Sequence, residues 1–99
     1  MARFDVYRVA NVSGYFLDVQ ADFLGYLDSR VIIPLVVGDD FLIPAKRLNP
    51  CFEIEGVRVI MMTELIVAVP KASFRSAVAN LAEFRDEIVN AIDFLMQGF

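Results

Sequence analysis

The chain has 99 residues, of which 58% are hydrophobic, and its formal net charge at pH 7 is −4. This length predicts a single domain over residues 1–99. So small a domain cannot hide this many apolar side chains in one core, which predicts an apolar interface; we expect it on Ile and Val residues of the central strands and near the end of the terminal helix. The acidic balance, with no cluster of Lys or Arg, argues against nucleic-acid binding by the chain alone.

Histidine and tryptophan do not occur in the sequence, and there is one cysteine. Without histidine the chain cannot build Ser-His-Asp or Cys-His nucleophile pairs or histidine metal sites. Cys51 cannot form an internal disulfide, and its apolar neighbours favour a packed core thiol over a catalytic one. We therefore expect no catalytic residue, no metal site and no cofactor.

The apolar segments of the sequence are short. The longest run from Val31 to Val37 and from Leu65 to Pro70, far below the roughly 20 residues that a membrane-spanning helix needs. The first residues also lack the apolar stretch of a signal peptide. The sequence thus predicts a cytoplasmic protein with no membrane partner.

The first third of the chain has the pattern of three strands. Residues 4–8 alternate between apolar and polar side chains and predict a half-buried strand, with Asp5 and Tyr7 on its outer face. A turn follows, and residues 15–20 predict the second strand of a hairpin. The β-branched run 30–37 predicts a central strand, in which Pro34 lacks an N–H group and implies a bulge or an unpaired edge.

The middle of the chain is predicted to form further strands. Residues 38–40 predict a turn. Two apolar runs, 51–54 and 57–62, predict a hairpin in which Gly56 takes a positive φ. Residues 65–69 predict another strand, which a proline ends.

The last fifth of the chain changes to a helical period. Its apolar residues recur at spacings of three and four, which predicts one stripe of an amphipathic helix. The stripe comprises Leu81, Phe84, Ile88, Ala91, Ile92 and Leu95. Asn80 and Glu83 have the spacing of a capping box, and Gly98 lies where the helix ends. Roughly five strands followed by one helix predict an α+β fold with a small antiparallel, barrel-like sheet.

Two pairs of acidic residues could have either a chemical or a purely structural role. Asp39 and Asp40 could bind a divalent cation, and Glu53 and Glu55 could form an acid/base pair on one strand face. The sequence favours a solvated turn for the first pair and a polar strand face for the second, because no histidine, cysteine pair or further acid lies near them. The glycines are isolated from one another, so no phosphate-binding loop is predicted.

The chain ends with an apolar helical segment followed by Gly98 and Phe99. A terminal residue usually frays in water, so a large apolar one needs an explanation. Phe99 either folds back onto the core or a dimer partner, or forms a docking tip for another protein.

Short motifs occur in a fixed order along nearly the whole chain. The first half contains Phe4-x-Val6-Tyr7, Tyr15-x-x-Asp18-Val19-Gln20-Ala21-Asp22 and Arg30-Val31-Ile32-Ile33-Pro34-Leu35. The second half contains Leu48-x-Pro50, Met61-Met62-Thr63, Ala68-Val69-Pro70, Val78-Ala79-x-Leu81, Arg85, Ile88 and Asn90-Ala91-Ile92-Asp93-x-Leu95. In this order and spacing the sequence resembles the CcdB toxins of bacterial toxin–antitoxin modules.

The resemblance implies a homodimer whose subunit has an SH3-like barrel, a β wing and a C-terminal helix. It implies the toxin of a type II toxin–antitoxin system, which binds the A subunit of DNA gyrase and traps this topoisomerase with cleaved DNA. It also implies a CcdA-like antitoxin, a dimeric repressor whose disordered tail folds onto the toxin and which autoregulates the operon with it. Plasmid maintenance is a role of such modules, and these toxins are not enzymes.

The resemblance also assigns candidate contacts with gyrase. They fall at the C-terminus and at an apolar pair that follows the Asp18–Asp22 motif. The expected gyrase-binding residues are Phe23, Leu24, Asp93, Met96, Gln97, Gly98 and Phe99. The family has a tryptophan where this chain has Gln97 and an isoleucine where it has Phe99.

The replacement of the tryptophan leaves alternatives open. Losing a central aromatic residue of an interface typically costs about 2–4 kcal/mol, so the chain is either a working gyrase toxin or an antitoxin-binding relative with a weakened, lost or changed target. A third alternative is a ribonuclease of the MazF type, whose barrel is related. A pI near 4.6 and the lack of histidine argue against RNA cleavage.

Overall fold

The computed structural model describes residues 1–10, 13–38 and 44–98. These ranges contain seven strands and one α-helix, and the α+β class predicted from the sequence is confirmed. The elements are β1 (Asp5–Arg8), β2 (Gly14–Asp18), β3 (Ser29–Val37), β4 (Cys51–Ile54), β5 (Val57–Met61), β6 (Val67–Pro70), β7 (Ala79–Asn80) and α1 (Arg85–Gln97).

The strands form an antiparallel, nearly closed barrel-like sheet in the order β4-β5-β3-β2-β1-β7, with β6 beside β3. β3 is long enough to pair with two strands on one edge, β6 up to Ile32 and β5 from Leu35. Pro34 lies between these two ladders, and its carbonyl accepts the N–H of Met62 at 2.9 Å. Pro34 faces Phe16 of β2 on one edge of β3, and its unpaired edge, as predicted, is the point where β3 changes partner.

An ion pair joins β1, which is next to one end of the strand order, to the β4–β5 turn at the other end. Arg8 of β1 pairs with Glu55 in the β4–β5 turn, and its Nε donates to Glu55 Oε1 at 3.0 Å. The Tyr15 hydroxyl donates to the same oxygen at 3.1 Å. Glu55 has a φ of 52° beside Gly56 at 79°, so the prediction that it shares a strand face with Glu53 is wrong. The positive φ predicted for Gly56 is confirmed.

The core combines buried residues of the strands with buried residues of α1. Its buried residues are Phe4, Val6, Leu17, Val19, Ile33, Leu35, Phe52, Ile54, Val59, Met61, Leu81, Ile88 and Ala91. Burying one such large side chain stabilises a fold by about 1.5–3 kcal/mol. The helix buries Ile88 and Ala91, as its predicted stripe requires, whereas Phe84 remains 37% exposed with its ring 5.2 Å from that of Phe52.

The outer face of β1 is also covered. Tyr7 was predicted to face solvent but is only 3% exposed, and its ring lies 5.0 Å from the Phe74 ring. The central strands bury their isoleucines as well, with Ile32 and Ile33 at 0% exposure. The expectation that isoleucines of the central strands form an interface is therefore wrong for these two, because the fold itself covers them.

The start of α1 differs from the predicted capping box. Asn80 lies in β7, where its backbone pairs with β1, and its Oδ1 accepts the N–H of Ala82 at 2.8 Å. A 3-10 turn over residues 82–84 follows, and the helix begins at Arg85 without a side-chain cap. Because Asn80 is used by the sheet, Asn80 and Glu83 do not cap the helix as predicted.

Smaller differences concern segments with weak patterns. Cys51 is half-buried rather than packed in the core, and its Sγ accepts from Arg58 Nη2 at 3.3 Å. The sixth strand follows a 3-10 turn, Thr63–Leu65, and thus begins two residues later than predicted. The predictions for residues 11–12, 39–43 and 99 lie outside the described residues. In the described part of the chain no helix is long and apolar enough to cross a membrane.

Candidate functional site

Two segments hold the residues that were predicted to bind gyrase. Residues 21–28, called the contact loop here, connect β2 to β3 and contain Phe23 and Leu24. Residues 93–98, the helix tip, form the end of α1. The prediction for Phe99 lies outside the described residues.

The contact loop is a series of tight turns. Three of its N–H groups donate to carbonyls three residues earlier, at 2.9, 3.0 and 3.2 Å. In such turns, side chains three residues apart lie on the same side. Phe23 and Tyr26 accordingly project outwards, with 88% and 75% exposure, whereas Leu24 and Leu27 are only 37% and 38% exposed.

Gln20 connects the contact loop to the sheet. Its buried side chain accepts the N–H of Val31 at 3.0 Å and donates to the carbonyl of Leu24 at 2.9 Å. Both groups of its amide are thus bonded to backbone. The loop backbone is held in place while its aromatic side chains remain exposed.

Two further bonds hold the loop from neighbouring segments. The Asp22 carboxylate accepts the N–H of Arg3 at 2.8 Å, and Lys71 Nζ donates to the carbonyl of Gly25 at 2.9 Å. The loop is therefore bonded to the N-terminal segment through the side chain of Asp22, and to the segment after β6 through its own backbone.

A buried ion pair lies beneath the contact loop. Arg30 Nε donates to Asp18 Oδ2 at 2.8 Å, and both side chains are at most 1% exposed. Asp18 Oδ1 accepts the N–H of Gln20 at 3.0 Å. Burial raises the pKa of the Asp18 carboxyl, while the bonds from Arg30 and Gln20 act against this rise. A Cβ added at Gly25 would lie 3.6 Å from Arg30 Nη1, so the pair packs directly under the loop.

The helix tip has fewer bonds. Gly98 ends α1 as predicted, with a φ of 80° and its N–H bonded to the carbonyl of Phe94 at 2.8 Å. Met96 is 71% exposed, Gln97 and Gly98 are exposed, and Asp93 is half-buried. Met96 and Gln97 lie three and four residues after Asp93 and hence share its helix face.

The structure does not join the two segments through bonds. In the parts of the chain that the structure describes, no hydrogen bond, ion pair or aromatic contact runs from the contact loop to the helix tip. Each segment is therefore held by contacts of its own, and a ligand that uses both must bind two separately supported surfaces.

Sequence reasoning missed two exposed residues at these segments. Tyr26 lies three residues after Phe23, and this spacing of two aromatic residues in a turn-rich segment was the available signal. Arg47 lies 4.4 Å over the ring of Phe94 in α1. The sequence gives no sign of that contact, because it depends on how the chain folds.

Tyr7 and Glu55, two groups with shifted pKa values, take part in hydrogen bonds or ion pairs within the fold. Burial and the neighbouring Asp5 raise the pKa of Tyr7 to about 12, so its hydroxyl stays protonated and donates to Asp5 at 3.2 Å. The bond from Arg8 lowers the pKa of the Glu55 carboxyl. Within the described ranges no three His, Cys, Asp or Glu side chains are grouped to hold a metal ion.

A family model, described as the CcdB protein, matches residues 3–98. The chain belongs to the CcdB family. The match spans the barrel-like sheet, the contact loop and α1, and it confirms the resemblance of the motifs. CcdB family membership also confirms the coarser expectation of a toxin of a toxin–antitoxin module.

Proposed function

We propose that this CcdB-family toxin acts on DNA gyrase, by binding its A subunit and trapping the enzyme with cleaved DNA, and that it is not itself an enzyme. The observation that supports this most is Phe23. It lies at a position that the family resemblance assigns to gyrase, and its ring is 88% exposed on a hydrogen-bonded loop. Exposed apolar surface on a rigid support is typical of interaction sites.

The helix tip supplies a second part of the proposed contact. Met96 is the most exposed large apolar side chain of α1, at 71%, and Gly98 retains the family glycine. Gln97 can form hydrogen bonds but has no aromatic face. We therefore expect binding at the tip to be weaker than in relatives that carry the tryptophan.

The proposed active form is a homodimer. Leu65 and Val67 are 52% and 48% exposed, and in the described chain β6 pairs with β3 alone. An edge strand with exposed apolar residues favours association. Light scattering at micromolar concentration should give twice the subunit mass of 11.1 kDa, whereas the subunit mass alone would contradict the dimer.

The proposed neutralising partner is a CcdA-like antitoxin with a disordered tail. On an acidic toxin we expect apolar and aromatic anchors to supply most of the affinity. Screening acts mainly on exposed charges, so the affinity should change little between low and moderate salt. A decrease of more than about tenfold over this range would show that electrostatic attraction dominates.

The function is tested by a DNA-cleavage assay with purified gyrase. The wild-type protein should increase cleaved DNA, Phe23→Ala should reduce this effect, and Val57→Ala, which truncates an apolar side chain of β5 at 37% exposure, should not. A parallel RNA-cleavage assay tests the alternative of a MazF-type ribonuclease. If gyrase is unaffected while a CcdA-like antitoxin still binds, the target has been lost or exchanged, in keeping with Gln97 in place of the tryptophan.

A further inference from the structure

One side chain connects the turn at residues 45–49 to the last turn of α1. Arg47 Cζ lies 4.4 Å from the centroid of the Phe94 ring, within the distance of about 6 Å at which an aromatic face attracts a guanidinium. The carbonyl of Phe94 accepts the N–H of Gly98, which ends the helix. The cation thus stacks on the residue that closes the helix tip.

The turn that carries Arg47 is fixed by Asn49. The Asn49 N–H donates to the carbonyl of Ala45 at 2.7 Å, and its Oδ1 accepts the Ala45 N–H at 3.0 Å. Its buried Nδ2 donates to the carbonyl of Met61 at 3.1 Å and to Glu64 Oε1 at 2.8 Å. Because Asn49 bonds the turn to the end of β5, Arg47 is held at a set place relative to the sheet.

The space beside the stack is open. A groove of about 620 Å³ lies between the turn and the helix, lined by Lys46, Arg47, Pro50, Glu87 and Asn90. Asn90 lies one helical turn before Phe94. At the level of Asn90 the groove therefore separates α1 from the turn at residues 45–49. Arg47 bridges the two elements near the helix tip.

Charge adds to the effect of stacking. The last turn of α1 contains no Lys or Arg, although the carbonyls at a helix C-terminus carry partial negative charge and are stabilised by nearby cations. The carboxylate of Asp93 lies in the same turn. Arg47, from a different segment, brings a positive charge to this end of the helix.

We propose that Arg47 is a positioning residue for the helix tip. By stacking on Phe94, Arg47 holds the last helical turn in place. It thereby fixes the direction in which the side chain of Gln97 projects from the surface. Gln97 lies three residues after Phe94 and therefore on the same helix face. The consequence for binding rests on the proposed contact between the helix tip and gyrase.

The positioning role is tested without gyrase, by the solvent-exchange rate of the Gly98 amide measured by NMR. Arg47→Leu keeps an apolar stem but removes the guanidinium. Exchange should become about 2- to 5-fold faster, the factor that corresponds to an exposed cation–π contact. Lys46→Leu removes the same charge from the same turn and should leave the rate unchanged. An unchanged rate in Arg47→Leu, or an equal increase in Lys46→Leu, would overturn the proposal.

Two further variants identify the partner of the guanidinium. Arg47→Lys keeps a cation and should restore part of the protection at Gly98. In a Phe94→Leu background, replacing Arg47 by leucine should no longer change the exchange rate. If the full effect persists without the ring, the guanidinium acts elsewhere and the stack is not the cause.

Binding to the gyrase A subunit then tests the functional consequence. Arg47→Leu should weaken the affinity by about 2- to 5-fold in a protein that remains folded, and Lys46→Leu should not. Faster Gly98 exchange with unaltered affinity would overturn the role in recognition. Failure of the wild-type protein to bind gyrase would instead overturn the proposed function, and the exchange rates would still decide whether Arg47 positions the tip.

Discussion

The contact loop and the helix tip are both exposed, but their backbones are held differently. The loop has three internal turns and is bonded to Gln20, Arg3 and Lys71. The tip has the bond that closes the helix at Gly98 and the stack of Arg47 on Phe94. A side chain on a rigid backbone loses less conformational entropy on binding. In this chain the loop should therefore contribute more affinity than the tip.

The two segments also differ in the side chains that they present. The loop exposes the rings of Phe23 and Tyr26, whereas the exposed side chains of the tip are Met96 and Gln97. Aromatic residues are enriched among the side chains that dominate interfaces. Among the described residues of these two segments, the strongly exposed aromatic rings therefore lie on the contact loop.

The largest expected effect comes from the support beneath the loop. Arg30→Met leaves the buried Asp18 carboxylate without its partner, which should reduce the free energy of unfolding by about 3–5 kcal/mol. Chemical denaturation measures this loss. Combining it with Asp18→Asn removes the unpaired charge and should recover much of the stability. A loss below about 1 kcal/mol in the single variant would mean that the pair does not support the loop.

Truncation of the loop aromatic tests the comparison directly. Phe23→Ala should weaken binding to the gyrase A subunit by about 2–4 kcal/mol, roughly 30- to 1000-fold, because a central aromatic anchor is lost. Met96→Ala should have a smaller effect. Both side chains are exposed, so the melting temperatures should hardly change. Equal losses, or a larger one at Met96, would reverse the ranking of the two segments; calorimetric titration supplies the affinities.

Loosening the loop should have an intermediate effect on stability. Gln20→Leu leaves the Val31 N–H and the Leu24 carbonyl without their side-chain partner, which should cost about 1–3 kcal/mol. Denaturation measures the loss, and amide exchange at Val31 should become faster. Ser13→Ala, at an exposed position before β2, provides a control that should change neither. An unaltered Val31 rate would show that Gln20 is not what holds the loop.

Restoring an aromatic residue at the tip should have the smallest effect in free energy. Gln97→Trp adds a ring that can stack on a cation, worth about 1–2 kcal/mol when desolvated. Trapping of cleaved DNA should increase by about tenfold. Gln97→Leu adds apolar surface without a ring and should increase trapping less. If tryptophan changes nothing with gyrases from several bacteria, the tip does not contact this target.

Much of the fold follows from local patterns in the sequence. Alternation predicted β1, the strand character of residues 15–20 after a turn predicted β2, and a β-branched run predicted β3. The helical stripe predicted the buried Ile88 of α1. Features that depend on tertiary pairing were wrong or missed. The predicted capping box was wrong because Asn80 is part of the sheet. The burial of Tyr7 was missed because Phe74 covers its ring, a contact that no local pattern indicates.

Some residues of the candidate site could be predicted from the sequence, and others could not. The family motif placed Phe23 and Leu24 after β2, and the structure places both in the contact loop. The exposure of Tyr26 could have been predicted from its spacing to Phe23, because 3-10 turns place residues three apart on the same side. The role of Arg47 could not have been predicted in this way, because its contact with Phe94 joins segments that are distant in the sequence.

We propose that the contact loop and the helix tip both bind the gyrase A subunit, with the loop more tightly held. Hydrogen exchange of the toxin's amides, measured with and without the A subunit, tests it most directly. We expect slower exchange in the complex at residues 21–28 and 93–98, with the stronger protection in the loop. Protection confined to other segments, or no protection at saturating A subunit, would contradict it.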